Sequence, residues 1–261
     1  MQKLKYLGYI IFTLVIIFLI FIIYNNVQGK ENEEEQIQEK IEIEIKYLEG
    51  KIVQMFNNTR GLEYKKYELI EKEEEETYTY SLEKKKVNME REPNFENMEK
   101  IISEINVSTP TITLDLYKLG VSSENVLAFT RNLNELSINV AEKNQVEGMK
   151  KLLNMYTLIS DYSQKAKMNI EYVKALQTKQ KIFEAYMLLD YNKWEQIAQK
   201  TKEASNIFGE LFDEENINKG KQDTINTVYV MLNELNTSVN LKNKQVFLEK
   251  YLKVLDELQT I

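Results

Sequence analysis

Side chains suited to a buried face recur at steps of three and four over eight positions after residue 94: Phe95, Met98, Ile102, Ile105, Thr109, Ile112, Leu116 and Leu119. That is the spacing of one face of an α-helix. A strand cannot carry it, because its faces alternate at every second residue. The register runs straight through Pro110, so the spacing predicts one kinked helix rather than two, with Gly120 as its stop. With only 8 Gly and 2 Pro in 261 residues, the chain also lacks the turn material of an all-β sandwich. The expected fold class is all-α.

The same spacing predicts six more helices up to residue 261. Val126, Phe129, Leu133, Leu136 and Val140 mark one, capped by Ser122 or Ser123, and Met149, Leu152, Tyr156 and Ile159 the next. Val173, Leu176, Phe183 and Met187 lie on a longer helix ending near Asp190, and Trp194 to Leu211 form another, started by Asn192. Two more follow the polar link 213–219, at Ile225 to Val239 and Leu248 to Leu258. Short connections imply antiparallel neighbours. Leu133, Leu136, Val140, Lys143 and Asn144 return as Leu232, Leu235, Val239, Lys242 and Asn243, a constant offset of 99 residues. Ile182, Ala185, Leu189 and Asn192 or Lys193 hold the places halfway between. Residues 94–261 therefore read as a bundle or short solenoid of helical hairpins, one unit of about 50 residues used three times.

Upstream, Ile37, Ile41, Ile45, Leu48, Ile52 and Met55 form a helical stripe over 31–57. It reads as an amphipathic stalk helix, packed on its own domain or paired with a second copy as a homo-oligomer seam. Residues 58–93 read as a charged linker. A small β-hairpin is expected near 64–83, with Tyr64, Tyr67 and Leu69 facing Tyr78, Tyr80 and Leu82.

From Tyr6 to Tyr24 the chain reads YLGYIIFTLVIIFLIFIIY, 19 residues without a charge. As a helix it would span roughly 28 Å, close to the ~30 Å of a hydrocarbon core. Lys3 and Lys5 precede it, so the positive-inside rule places residues 1–5 in the cytoplasm, 6–24 in the membrane and the rest outside. The alternative is a secreted chain cleaved near Lys30, against which the apolar run is longer than a signal peptide needs.

With no His and no Cys, the chain has no Cys/His zinc site, haem or iron-sulfur ligation, Cys nucleophile, Ser-His-Asp triad or disulfide. No Gly-rich phosphate loop is present. Ser81 to Lys84 matches S-x-x-K without its companion motifs, and Asp213 to Gly220 resembles a calcium loop with Ile217 where an oxygen is needed. The expectation is no cofactor, no metal and no enzyme. Residues 31–100 carry a net charge of -8 and residues 101–261 carry -2, which argues against nucleic acid as a partner. Ligand or partner contacts fall to Tyr156, Tyr186, Trp194 and Phe208, large side chains able to wall a site between hairpins.

PTITLDLYKLGVSSENVLAFTRNLNELS, from Pro110 to Ser137, together with LDYNKWEQIAQKTKEASNIFGELF and VYVMLNELN, resembles an uncharacterised family of membrane-anchored or secreted helical proteins of clostridia-type bacteria. The resemblance implies an extracytoplasmic helical domain behind an N-terminal anchor and brings no activity or catalytic residue. The expected function is a protein-interaction or scaffolding module of the cell envelope with an envelope protein as partner. Its rival is a binding protein holding a peptide, lipid or small molecule within the bundle.

Overall fold

The computed structural model describes residues 36–59, 70–72, 79–81, 92–214 and 217–261. The expected anchor at 6–24 lies outside them. Among the described residues no helix is long and apolar enough to cross a membrane, and eight α-helices are present. They are α1 (36–58), α2 (Phe95–Lys118), α3 (Ser123–Ala141), α4 (Gln145–Lys165), α5 (Ile170–Leu188), α6 (Trp194–Gly209), α7 (Gln222–Ser238) and α8 (Lys244–Leu258). Two short strands, β1 (Ile70–Lys72) and β2 (Thr79–Ser81), pair antiparallel with Glu71 opposite Tyr80. This pairing falls within the hairpin region expected at 64–83, while Tyr64, Tyr67 and Leu69 lie outside the described residues.

The helix α2 runs unbroken through Pro110, as its spacing requires. Pro110 and Asn106, whose carbonyl the proline leaves without its N–H, are both exposed, so the freed carbonyl is not stranded in the core. The stop is Gly120, at φ 77°, with the Val121 N–H closing on the Leu116 carbonyl.

The helices pair as hairpins: among α2 to α8, α5 with α6, α3 with α4 and α7 with α8 make the most extensive contacts. Each hairpin turns through one residue in the left-handed region, namely Lys143, Asn192 and Lys242. These three occupy equivalent repeat positions, so one backbone device is built three times. In the outer two turns the next residue, Asn144 or Asn243, caps the following helix by accepting from the N–H of Glu147 or Val246. In the middle turn the order is inverted. Asn192 takes the left-handed position, which suits it, and Lys193 sits at the N-cap where its side chain makes no cap. Asn192 therefore does not start α6, contrary to the sequence reading. Replacing Lys193 with Asn supplies the missing cap, and the urea midpoint should rise by the equivalent of about 1 kcal/mol.

The stripe of 31–57 packs on its own domain, the first of its two readings, as half of a fourth hairpin. Lys51 pairs with Glu104 at 2.5 Å and Lys40 with Asp115, so α1 and α2 run antiparallel. At its far end the Asn94 N–H donates to the Asn58 carbonyl at 3.0 Å. Asp115 is buried, which by itself would push its carboxyl up, but hydrogen bonds from Lys40 and Lys118 hold it below the ordinary aspartate value. Ile41, Ile45, Leu48, Ile52, Met55 and Phe56 are all buried in the common core. That apolar seam is consumed inside the chain and is not available as the coiled-coil surface proposed for a homo-oligomer.

The four hairpins close into a bundle. Phe56 of α1 stacks on Phe183 of α5 at 4.2 Å, while Tyr186 of α5 stacks on Tyr251 of α8 at 4.7 Å. The first hairpin thus reaches the third, past the second, which a linear stack touching only nearest neighbours would not do. At the centre, α5 is buried around most of its circumference, from Glu171 and Tyr172 through Lys179 to Ala185 and Tyr186.

Candidate functional site

A charged residue on an otherwise apolar helix face has to find a partner or stay out of the core. Lys179 falls in the gap of the α5 stripe, three residues after Leu176 and four before Phe183, so helical geometry directs it inward. On α1, Glu49 lies four residues after Ile45 and three before Ile52. The two meet: Lys179 is 1% exposed, Glu49 is 7% exposed, and the Lys179 Nζ donates to the Glu49 Oε1 at 2.9 Å. The Tyr156 hydroxyl donates to the same oxygen at 3.2 Å.

This cluster floors a cleft of about 620 Å³ between α1 and α8. Along α1 the wall is Lys46, Glu49, Gly50, Val53, Gln54 and Asn57, and the α8 side adds Leu252, Leu255 and Asp256. Tyr172 completes the floor, with the Lys46 ammonium 5.4 Å from its ring centroid. Burial pushes the Tyr156 and Tyr172 phenols far above the ordinary tyrosine value, and the Glu49 charge pushes both further. They remain protonated at any physiological pH, which makes them hydrogen-bond donors and poor bases. Among the described residues the Tyr172 hydroxyl finds no partner.

Gly50 stands in the middle of α1, where Gly is unfavourable by about 0.5–1 kcal/mol relative to Ala. Its backbone is helical, and a Cβ there would have nothing within 4 Å. Neither conformation nor packing of the described residues asks for glycine. What it leaves is room in the cleft wall.

The four aromatic residues expected to wall a ligand are not brought together there. Tyr156, Tyr186 and Phe208 are fully buried core side chains, Tyr156 reaching the cleft floor only through its bond to Glu49. Trp194 is partly buried against the core. None of them lines the cleft. A second, more apolar cleft of about 390 Å³ lies between α4, α5 and α6, walled by Val146, Leu153, Met187, Leu188 and Tyr191. It contains none of the four either. Among the described residues no group of three or more acidic side chains is gathered to hold a metal ion.

The residues that sequence reasoning missed are Lys179, Glu49, Tyr172 and Gly50. The signal for the first was present as a stripe of α5 that skips a turn between Leu176 and Phe183. No family model, curated protein or solved structure matches this chain, so no activity or site residue is carried over from a relative.

Proposed function

We propose that this chain is a single-pass membrane protein, anchored by residues 6–24 with its N-terminus in the cytoplasm. It displays the helical bundle outside the membrane as a protein-interaction or scaffolding module of the cell envelope. The observation that carries the reading is a repeated one. Tyr191 and Leu241 stand at the same repeat position, each immediately before the left-handed turn residue, and are 55% and 66% exposed. Large apolar side chains on adjacent hairpin tips, beside the apolar cleft that Tyr191 lines, suit a protein contact better than they suit water. The buried phenols of Tyr156 and Tyr172 are held protonated and are poor bases, which favours binding over catalysis at that cleft.

The test places a photo-crosslinking amino acid at Tyr191 or Leu241 in the intact protein in its native membrane, together with an impermeant label near residue 261. The expected result is one discrete protein adduct, lost when the other tip residue is changed to Asp, and labelling from the outside. Recovery of the chain free of membrane with a terminus near Lys30, or labelling only from the cytoplasm, would reject the anchored reading. A second reading, ligand binding within the bundle, is favoured by the cleft between α1 and α8 rather than by the aromatic residues first expected to form it.

A further inference from the structure

We infer that the outer face of the α2/α3 hairpin is a lipid-contact surface, which lays the bundle against the same membrane that holds residues 6–24. The inference rests on the anchored reading and deepens it, and it leaves the tips at Tyr191 and Leu241 to a protein partner.

The core stripe of α2 has a counterpart on the opposite side of the helix. Val107, Pro110, Leu114 and Tyr117 follow one another at steps of three, four and three, and all four are exposed, Val107 at 80% and Leu114 at 56%. Leu127, 57% exposed on the second turn of α3, and Ile43, one turn beyond Lys40 on α1, lie at the same end of the bundle. A lone exposed leucine is ordinary, but a helix with apolar rows on both sides is not built to face water on one of them. Charge is missing as well. From Ile105 to Tyr117 the only charged residue is Asp115, which is buried and paired with Lys40 and Lys118. Docking this row therefore desolvates no ion.

What covers the face follows from where the chain leads. The ion pair of Lys40 with Asp115 places the first turns of α1 beside Leu114 and Tyr117. Residues 25–35 are all that separate α1 from the apolar segment, at most about 40 Å even fully extended. With 6–24 in lipid, the C-terminal half of α2 is thus kept within reach of the bilayer, at an effective concentration high enough to compensate for weak intrinsic affinity. A protein partner would be selected by complementary charges, which this row lacks. Lipid asks only for apolar side chains and an aromatic at headgroup level, the place of Tyr117. Pro110 limits the depth: the Asn106 carbonyl it frees requires a donor, which the hydrated headgroup layer supplies and hydrocarbon does not. The face therefore rests in the interface rather than crossing it.

The chain has no Cys, so one introduced thiol is a unique label site. Leu114→Cys, Leu241→Cys and Ile23→Cys, each carrying a bimane fluorophore, are compared as full chains in phosphatidylcholine vesicles with and without a nitroxide near the lipid headgroup. The expected result is loss of most fluorescence at 23 and at 114 and little loss at 241. Quenching at 23 without quenching at 114, or equal quenching at 114 and 241, would overturn this inference and leave the anchor standing; quenching at none of the three would reject both. Disulfide formation between two copies of the unlabelled Leu114→Cys chain, in place of quenching, would assign the face to a second copy and overturn it as well. In a Leu127→Cys chain, Val107→Asp with Leu114→Asp should abolish the quenching at 127 and leave the urea midpoint nearly unchanged, because both side chains already face water. Quenching that persists there would mean that another face lies on the lipid, against the inference. None of these outcomes alters the adduct expected at Tyr191.

Discussion

Replacing Lys179 with methionine should destabilise the folded chain by about 3–5 kcal/mol, because it leaves the Glu49 carboxylate buried without its counter-ion. The magnitude reflects the orphaned charge rather than the worth of the pair. Changing Glu49 to methionine as well removes the charge, and most of the loss should then be recovered. What remains is the cost of the Tyr156 hydroxyl, whose acceptor has gone, on the order of 1–3 kcal/mol. The measurement is the urea midpoint of the three proteins in detergent, with unchanged slopes showing that the same surface is exposed. If the double variant is as unstable as the single one, the charge is not the reason. A buried pair of this kind adds little stability over a well-packed apolar substitute. Its effect in this bundle is on register: sliding α1 by one turn along α5 would strand both charges, so the pair selects one docking of the first hairpin.

Truncating Phe183 to alanine is the other large effect, with an expected loss of about 3–5 kcal/mol. Its ring stacks on Phe56 of α1, meets the edge of Tyr156 of α4 at 5.0 Å and that of Tyr251 of α8 at 6.4 Å. One side chain therefore joins three hairpins to the fourth, and its cavity would open where α1, α4, α5 and α8 converge. Phe56→Ala should cost a similar amount. The double variant should fall short of the sum by about 1 kcal/mol, since the stacked pair is lost only once. Strict additivity in a denaturant titration would show that the two rings do not interact. Because α1 is tied to α2 at Asn58 and Asn94, its release should also be seen as faster hydrogen exchange in α1 than in α7.

The distribution of what was readable follows from how far each interaction reaches along the chain. The period of three and four from Phe95 to Leu119 is local. It located α2 and its passage through Pro110 without reference to any other helix. The 99-residue offset is also linear information: it set Lys143 against Lys242, which the folded chain uses as left-handed turn residues. The same offset left Asn192 and Lys193 undecided. The choice between them depends on which residue tolerates positive φ and which one caps, a contest settled in the folded turn.

The candidate site was legible only in its parts. Glu49 and Lys179 are 130 positions apart, and sequence spacing shows merely that each lies on an apolar face. Nothing in a one-dimensional pattern says that two such faces meet. Tyr156, Tyr186 and Phe208 were singled out for their size, yet size is equally the mark of core residues, and packing assigned them there.

Helical period, the lack of any His or Cys and the long apolar segment at 6–24 all belong to the amino-acid order alone, because each is fixed by neighbours within a few residues or by composition. Which of its two readings the stripe from Ile37 to Met55 takes, a core helix rather than a seam for a second copy, that α5 is central and that a polar cleft opens between α1 and α8 were decided by tertiary structure. Burial is a property of pairs of surfaces: an amphipathic helix declares that it will bury one face, and only the closed bundle determines against what.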